Sequence, residues 1–147
     1  MPLAMKNNRV LAIDYGTKRI GLAVSDELRI LATPAGHIEN RKSAMKDILY
    51  FIDERNVGTV ILGLPTTLSG GDSQWTSEVR LFGEKLKTSL TTRGIEFHLY
   101  DERLTSIMAE TNIRSQGLKR TQLHEKHRRD EEAARLLLQE WLDVNKR

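Results

Sequence analysis

Residues Arg9–Asp26 read RVLAIDYGTKRIGLAVSD, and the architecture turns on this stretch. Arg9–Tyr15 is apolar and β-prone, Gly16-Thr17-Lys18-Arg19 has turn composition, and Ile20–Asp26 repeats the apolar β pattern. Two such runs joined by a short polar turn predict an antiparallel hairpin. Their apolar character predicts central strands. Working outward, Ile30–Ile38 is a third extended stretch containing Pro34 and Gly36. Proline lacks the N–H that a central ladder requires, so this strand is expected at or near an edge.

Helical periodicity follows from Lys42 to Arg55, with Met45, Ile48, Leu49 and Ile52 at three- and four-residue steps. The run GTVILGLP, residues 58–65, reads as a buried strand and completes a strand-helix-strand crossover. The segment GGDSQWTSEVRLFGEKLKTSL, residues 70–90, opens with turn glycines and an Asp or Ser able to cap a helix. It then sets Val79, Phe82, Leu86 and Leu90 on one side. Gly83 inside that helix costs roughly 1 kcal/mol relative to Ala, which points to close packing there. Ile95–Tyr100 is another strand, followed by DERL, a helix over 105–116 stopped by Gly117, and a last helix over 129–144. In the last helix Ala133, Ala134, Leu137, Leu138, Trp141 and Leu142 recur at helical spacing and are expected to dock on the sheet.

A chain of 147 residues, 39% hydrophobic and 29% charged, suits one domain over residues 1–147. No apolar run is long enough for a membrane helix, and MPLAMKNNRV lacks the apolar stretch of a secretory signal. No membrane association and a cytoplasmic location are therefore expected. Cysteine is absent, which excludes disulfide frameworks, thiolate nucleophiles and zinc-thiolate sites. The net charge of +3 is too small to identify a nucleic-acid binder. Its distribution says more. RSQGLKRTQLHEKHRR carries six basic residues, Arg114, Lys119, Arg120, Lys126, Arg128 and Arg129, and two His against the single acid Glu125. Such a patch suits a phosphate backbone, and it equally suits a solvated connection between two helices.

Three acids stand out. Asp14 interrupts an apolar strand near its end, where an uncompensated charge is costly, although an Asp before Gly also accepts turn hydrogen bonds. Glu102 follows IEFHLYD, and strand alternation sends it to the face of His98 and Tyr100, opposite Asp101. If the two strands were neighbours, Asp14 and Glu102 would share one side of the sheet. Glu102 could also be an exposed acid paired with a cation such as Arg103. Asp130 begins the last helix, where free N–H groups favour an acid in any case. Together, acids at two strand ends and a helix supply the hard oxygen ligands preferred by Mg²⁺ or Mn²⁺. That chemistry suits phosphodiester hydrolysis, which needs neutralisation of the phosphate, an activated water and a stabilised leaving oxygen.

AIDYGTKRIGLAVSD, ILGLPTTLSGGDSQ, YDERLTSIMAE and DEEAARLLLQEWL together resemble the YqgF-type pre-16S rRNA nucleases, also described as Holliday-junction-resolvase-like proteins. The resemblance spans nearly the whole chain. The first and third motifs are the specific ones; in the second, Thr67-Leu68-Ser69-Gly70 stands where family members often carry Asn-Met-Asp-Gly. The resemblance implies an α/β, ribonuclease-H-like fold: a mixed five-stranded sheet, three antiparallel strands plus two parallel, with helices on both faces. It further implies Asp14, Glu102 and Asp130 as catalytic, metal-holding acids. Related resolvases carry a fourth acid three residues beyond the last, a position occupied here by Ala133; helix geometry turns Glu131 and Glu132 elsewhere. Lys18, Arg19 and Arg103 lie within the matched motifs as candidate phosphate contacts or ordinary surface cations.

The leading expectation is a Mg²⁺- or Mn²⁺-dependent endonuclease acting on precursor rRNA during ribosome maturation, as a monomer or homodimer with the ribosome as a candidate partner. A resolvase of branched DNA is the alternative enzyme, because backbone-directed acids cut either polymer and the distinction lies in contacts such as those to the 2′-OH. A small actin-like nucleotide phosphatase is disfavoured, since such proteins use two domains of this kind. A non-catalytic nucleic-acid-binding factor is disfavoured by the presence of all three acids.

Overall fold

The computed structural model describes residues 8–65, 73–101 and 126–146, with 126–130 described by backbone alone. Five strands, β1 (Arg9–Tyr15), β2 (Arg19–Ser25), β3 (Ala32–Glu39), β4 (Val57–Leu64) and β5 (Glu96–Asp101), form one sheet in the order β3-β2-β1-β4-β5. β1, β2 and β3 pair antiparallel, whereas β4 and β5 extend the sheet parallel to β1. This is the expected three-plus-two arrangement. β3 lies at the edge, as Pro34 requires: it pairs only with β2 among the described strands, and Pro34 stands opposite Ala23. From Pro34 to His37 β3 takes three steps where β2 takes two, from Ala23 to Gly21. The surplus residue is a bulge at which Gly36 adopts φ +83°, a conformation glycine holds without a Cβ penalty.

The three described helices are α1 (Ala44–Glu54), α2 (Gln74–Thr92) and α3 (Lys126–Val144). The expected helix over 105–116 falls outside the described residues. Ser73 caps α2, its hydroxyl accepting from the Thr76 N–H at 3.1 Å, and the Thr76 hydroxyl donates to the Pro65 carbonyl, tying α2 to the end of β4.

Val10–Ile13 are wholly buried, and their alternation feeds two cores. Leu11 and Ile13, with Leu22 and Leu62, pack on Ile48 and Ile52 of α1 and Val79, Leu86 and Leu90 of α2. Val10 and Ala12, with Ala23 and Ile61, pack on Ala134, Leu137, Leu138 and Leu142 of α3. Helices thus cover both faces. Each large aliphatic side chain fully removed from water contributes about 1.5–3 kcal/mol, so the two cores hold the central strands firmly. Gly83 explains itself here: a Cβ on it would stand 3.0 Å from Leu62 Cδ2 and 3.4 Å from Phe97 Cζ.

Two contacts orient α3. The Gln139 side chain accepts from the Ala32 N–H at 2.9 Å and donates to the Ile30 carbonyl at 3.0 Å, at the start of β3. Eight residues earlier, Glu131 Oε1 lies 3.8 Å from where a Cβ would stand on Gly36. Eight helical residues span about 12 Å, close to the run of strand between those two levels. α3 therefore runs against β1, and its N-terminal half lies toward the end of the sheet where β1, β4 and β5 finish.

Candidate functional site

β1 leaves its core at Asp14, which is half-buried while the four residues before it are sealed. Strand alternation sets Asp14 on the face of Val10 and Ala12, the face covered by α3. Its direct partner on β2 is Gly21. One step beyond the Ile13–Leu62 pair on the other side comes Gly63. Both sheet neighbours of the carboxylate on that face therefore lack side chains. Neither neighbouring strand sets a side chain directly beside Asp14 on that face.

Gly63 in turn pairs with Tyr100 of β5. β4 thus lies between β1 and β5, and the two acid-bearing strands are not the neighbours that a shared side was expected to require. Two inter-strand spacings put them roughly 10 Å apart. Because β1, β4 and β5 are parallel, their C-terminal ends still emerge along the same edge of the sheet. Tyr100 faces the α3 side, packed against that core. Burial, first, and then the Glu140 carboxylate with which it hydrogen-bonds, with Asp101 adding to both, push the Tyr100 phenol above its ordinary value. His98 also faces α3, its ring 5.8 Å from that of Trp141, and its Nε2 lies 3.3 Å from Glu96 Oε2. The alternation inferred for His98 and Tyr100 is therefore present in β5, and Glu102 comes two residues after Tyr100.

Glu102, Arg103, Lys119 and Arg120 lie outside the described residues, and Lys126, Arg128, Arg129 and Asp130 are described by backbone only, as part of α3. Lys126 is already helical, earlier than the helix was expected to start, so Asp130 does not begin it. An α-helix leaves its first four N–H groups without intrahelical partners, and Asp130 is the fifth residue. The helix-terminus explanation of this acid is accordingly lost. Glu132 engages Arg135 through both carboxylate oxygens, at 2.8 Å and 3.2 Å to Nε, and Glu131 sits by the β3 bulge. Among the described residues no three His, Asp or Glu side chains gather into a metal-sized group.

Lys18 is exposed at the tip of the β1–β2 turn, and Arg19 is half-buried opposite Glu39 of β3. The turn is tight: a Cβ on Gly16 would stand 2.3 Å from the Arg19 carbonyl oxygen. Asn40, just past β3, reaches beneath it. Its Nδ2 donates to the Gly16 carbonyl at 2.7 Å, its backbone N–H to the Lys18 carbonyl at 2.9 Å, and its Oδ1 accepts from the Tyr15 hydroxyl at 3.4 Å. Tyr15 faces the other core, stacked on Phe82 at 4.2 Å and Trp75 at 5.6 Å between ring centroids. Sequence reasoning passed over Asn40 and gave Tyr100 no role. A polar residue ending an edge strand signals nothing until the pairing shows which turn it lies under.

Residues 8–144 match the model of the family described as RuvX: Holliday junction resolvase. The chain is 38% identical over 136 residues to a protein of Maridesulfovibrio salexigens named "Putative pre-16S rRNA nuclease", covering 91% of this chain and 97% of that one. Equally named relatives from Endomicrobium trichonymphae, 39% identical with 93% and 96% covered, and Rickettsia typhi, 35% identical with 99% and 91% covered, match as fully. Among solved structures, T. thermophilus RuvC in complex with Holliday junction substrate superposes with a TM-score of 0.56 at 14% identity, covering 93% of this chain and 96% of that one. That likeness establishes the fold as ribonuclease-H-like. Family model and full-length relatives agree, and the chain belongs to the RuvX Holliday junction resolvase family.

Proposed function

We propose that the protein is a metal-dependent endonuclease that hydrolyses phosphodiester bonds of precursor 16S rRNA, with Asp14, Glu102 and Asp130 as its catalytic acids. The observation that carries this reading is the setting of Asp14: a half-buried carboxylate at a strand end, between two glycines, on the sheet face toward which α3 brings its N-terminal half. The relatives' names supply the substrate class. In the α3 repeat Asp130 stands four residues before buried Ala134, in line with the side of the helix that meets the sheet. Glu102, the next residue in sequence after β5, is read as completing the set.

These residues fit Mg²⁺ or Mn²⁺ by chemistry: all three donors are carboxylate oxygens, and Asp14 is flanked by Gly21 rather than by a side chain. When bound, such an ion supplies charge neutralisation at the phosphate and a more acidic water. The protein's own contribution is to hold Asp14 on a strand and Asp130 on a helix whose positions the cores set, so that little reorganisation is needed when the phosphate arrives. Lys18 on the turn after Asp14 and Arg19 at the start of β2, with Arg103, Lys119, Arg120, Lys126, Arg128 and Arg129, are read as contacts to the flanking backbone, attracting either polymer without reading sequence.

Among the described residues no helix is long and apolar enough to cross a membrane. We place the reaction on pre-rRNA within assembling ribosomes in the cytoplasm, carried out by a single domain acting as a monomer or homodimer. The family description favours one competing substrate, a four-way DNA junction cut by a symmetric homodimer. Purified protein with Mg²⁺ or Mn²⁺ should cut precursor 16S rRNA and leave a four-way junction intact in parallel reactions. The reverse preference would make it a resolvase, and binding of either without cutting in any metal would make it a non-catalytic factor.

A further inference from the structure

We propose that Asn40 is a positioning residue for the nuclease site, a single side chain that fixes the β1–β2 turn and so sets Asp14 and Lys18 relative to one another. The inference rests on the nuclease reading above. Asp14 is followed immediately by Tyr15 and Gly16, and Lys18 is the exposed tip of the same turn. A short turn with exposed polar residues ordinarily samples several conformations on the nanosecond to microsecond scale. Here Asn40 holds it through three hydrogen bonds. The backbone N–H continues the β2–β3 ladder to Lys18, the side-chain amide donates to Gly16, and the side-chain carbonyl accepts from Tyr15. The orientation of the amide is set by chemistry, because the Gly16 carbonyl can only accept.

Tyr15 is itself stacked on Phe82 and Trp75 of α2. The turn is therefore held from β3 through Asn40 and from α2 through the aromatic stack. The close approach of Gly16 to the Arg19 carbonyl leaves it little room to relax. A group that holds the chain immediately after a ligand acts much as the hydrogen-bond partners behind metal ligands do, and removing one of those costs about 10- to 100-fold in activity or metal affinity.

The test uses the full chain carrying Asn40→Asp, Asn40→Ala, Tyr15→Phe or Asn40→Ala with Tyr15→Phe. Asn40→Asp keeps size and the acceptor for Tyr15 but sets an anionic oxygen against the Gly16 carbonyl. Amide hydrogen exchange over residues 16–19, melting temperature, and single-turnover cleavage of precursor rRNA with Mg²⁺ are measured together. Expected are faster exchange confined to the turn, a single-turnover rate about 10- to 100-fold lower, and unchanged exchange in β1 and β4. The double variant should be no slower than Asn40→Ala alone, since Asn40→Ala already removes the acceptor of the Tyr15 hydroxyl. Unchanged turn exchange, or a rate that falls only in proportion to the folded fraction, overturns the proposal. If the unsubstituted protein cuts neither rRNA nor junction, the nuclease reading fails by itself, and the exchange comparison still decides whether Asn40 holds the turn.

Discussion

Asp14 and Gly21 are direct partners across the β1–β2 ladder, so the carboxylate stands beside a residue with no side chain. Adding one there should block the flank through which a cation approaches. Gly21→Ala places a single methyl in that space, and Gly21→Val a branched group suited to a strand. We expect Mn²⁺ binding by calorimetry to weaken stepwise from Gly to Ala to Val, by about tenfold or more at Val, while the melting temperature falls no more than overpacking of about 1–3 kcal/mol explains. Mn²⁺ binding equal in all three proteins would show that the ion, if held, does not approach from this side.

The three acids should behave as a unit. Asp14→Asn, Glu102→Gln and Asp130→Asn each leave the shape of the side chain but remove its charge, and each should abolish most single-turnover cleavage with the far-ultraviolet dichroism retained. Groups that act together are not additive. A triple variant should thus be little worse than the worst single one. A single variant that still cuts at near-normal rate excludes its position from the site, and Asp130 is the most informative, since the helical turn over 126–129 ahead of it removes its alternative explanation.

The basic stretch before Asp130 predicts a salt effect. If Lys119, Arg120, Lys126, Arg128 and Arg129 meet phosphates, neutralising them should weaken substrate binding at low salt. It should also flatten the log-log dependence of the binding constant on salt by roughly 0.7–0.9 for each phosphate left without its cation. Titrations at several salt concentrations check this. An unaltered slope would return the segment to a solvated connection.

Tyr100 gives a pH prediction with a definite sign. Burial first, and the Glu140 and Asp101 carboxylates with it, raise the phenol above its ordinary value. A group raised in the folded state contributes stability that is complete below its unfolded value, near 10, and is lost as pH rises through the folded value. Ultraviolet titration should show a tyrosine component ionising above the ordinary phenol value, and Tyr100→Phe should delete that late component. It should also flatten the alkaline decline in stability.

The hairpin, the crossover and both helix faces were legible because each rests on a local periodicity: Val10–Ile13 with Leu22 on one side of the turn, Ile48 and Ile52 on α1, Leu137 and Leu138 on α3. Pro34 announced an edge by its missing N–H, and Gly83 a close approach that proved to be Leu62. Strand order was not local. That β4 separates β1 from β5 follows from which crossover packs where, and no window of sequence carries it. That 126–128 are already helical is hidden for a related reason: KHRR has no apolar period, and helical continuation there reads the same as a charged loop. Asp14 was legible as an oddity, a charge in an apolar strand. Its glycine neighbours became meaningful only with the register.

The identity of the metal should separate binding from cutting. Mg²⁺ keeps near-octahedral oxygen geometry at about 2.0–2.1 Å, whereas Ca²⁺ binds at about 2.3–2.6 Å with looser coordination. In-line displacement depends on where the attacking water and leaving oxygen sit, and a misplacement of even an ångström can cost about a hundredfold in rate. Attraction of the phosphate to a doubly charged ion and to Lys18 does not depend on that alignment. With Ca²⁺ alone, gel-shift binding of precursor rRNA should therefore persist while cleavage falls by at least about a hundredfold, and adding Mn²⁺ should restore it in the same tube. The all-carboxylate donor set proposed here is what makes the comparison sharp, since sites built from imidazole discriminate these ions on other grounds. Cleavage that continues undiminished in EDTA would remove the metal, and with it the roles assigned to Asp14, Glu102 and Asp130.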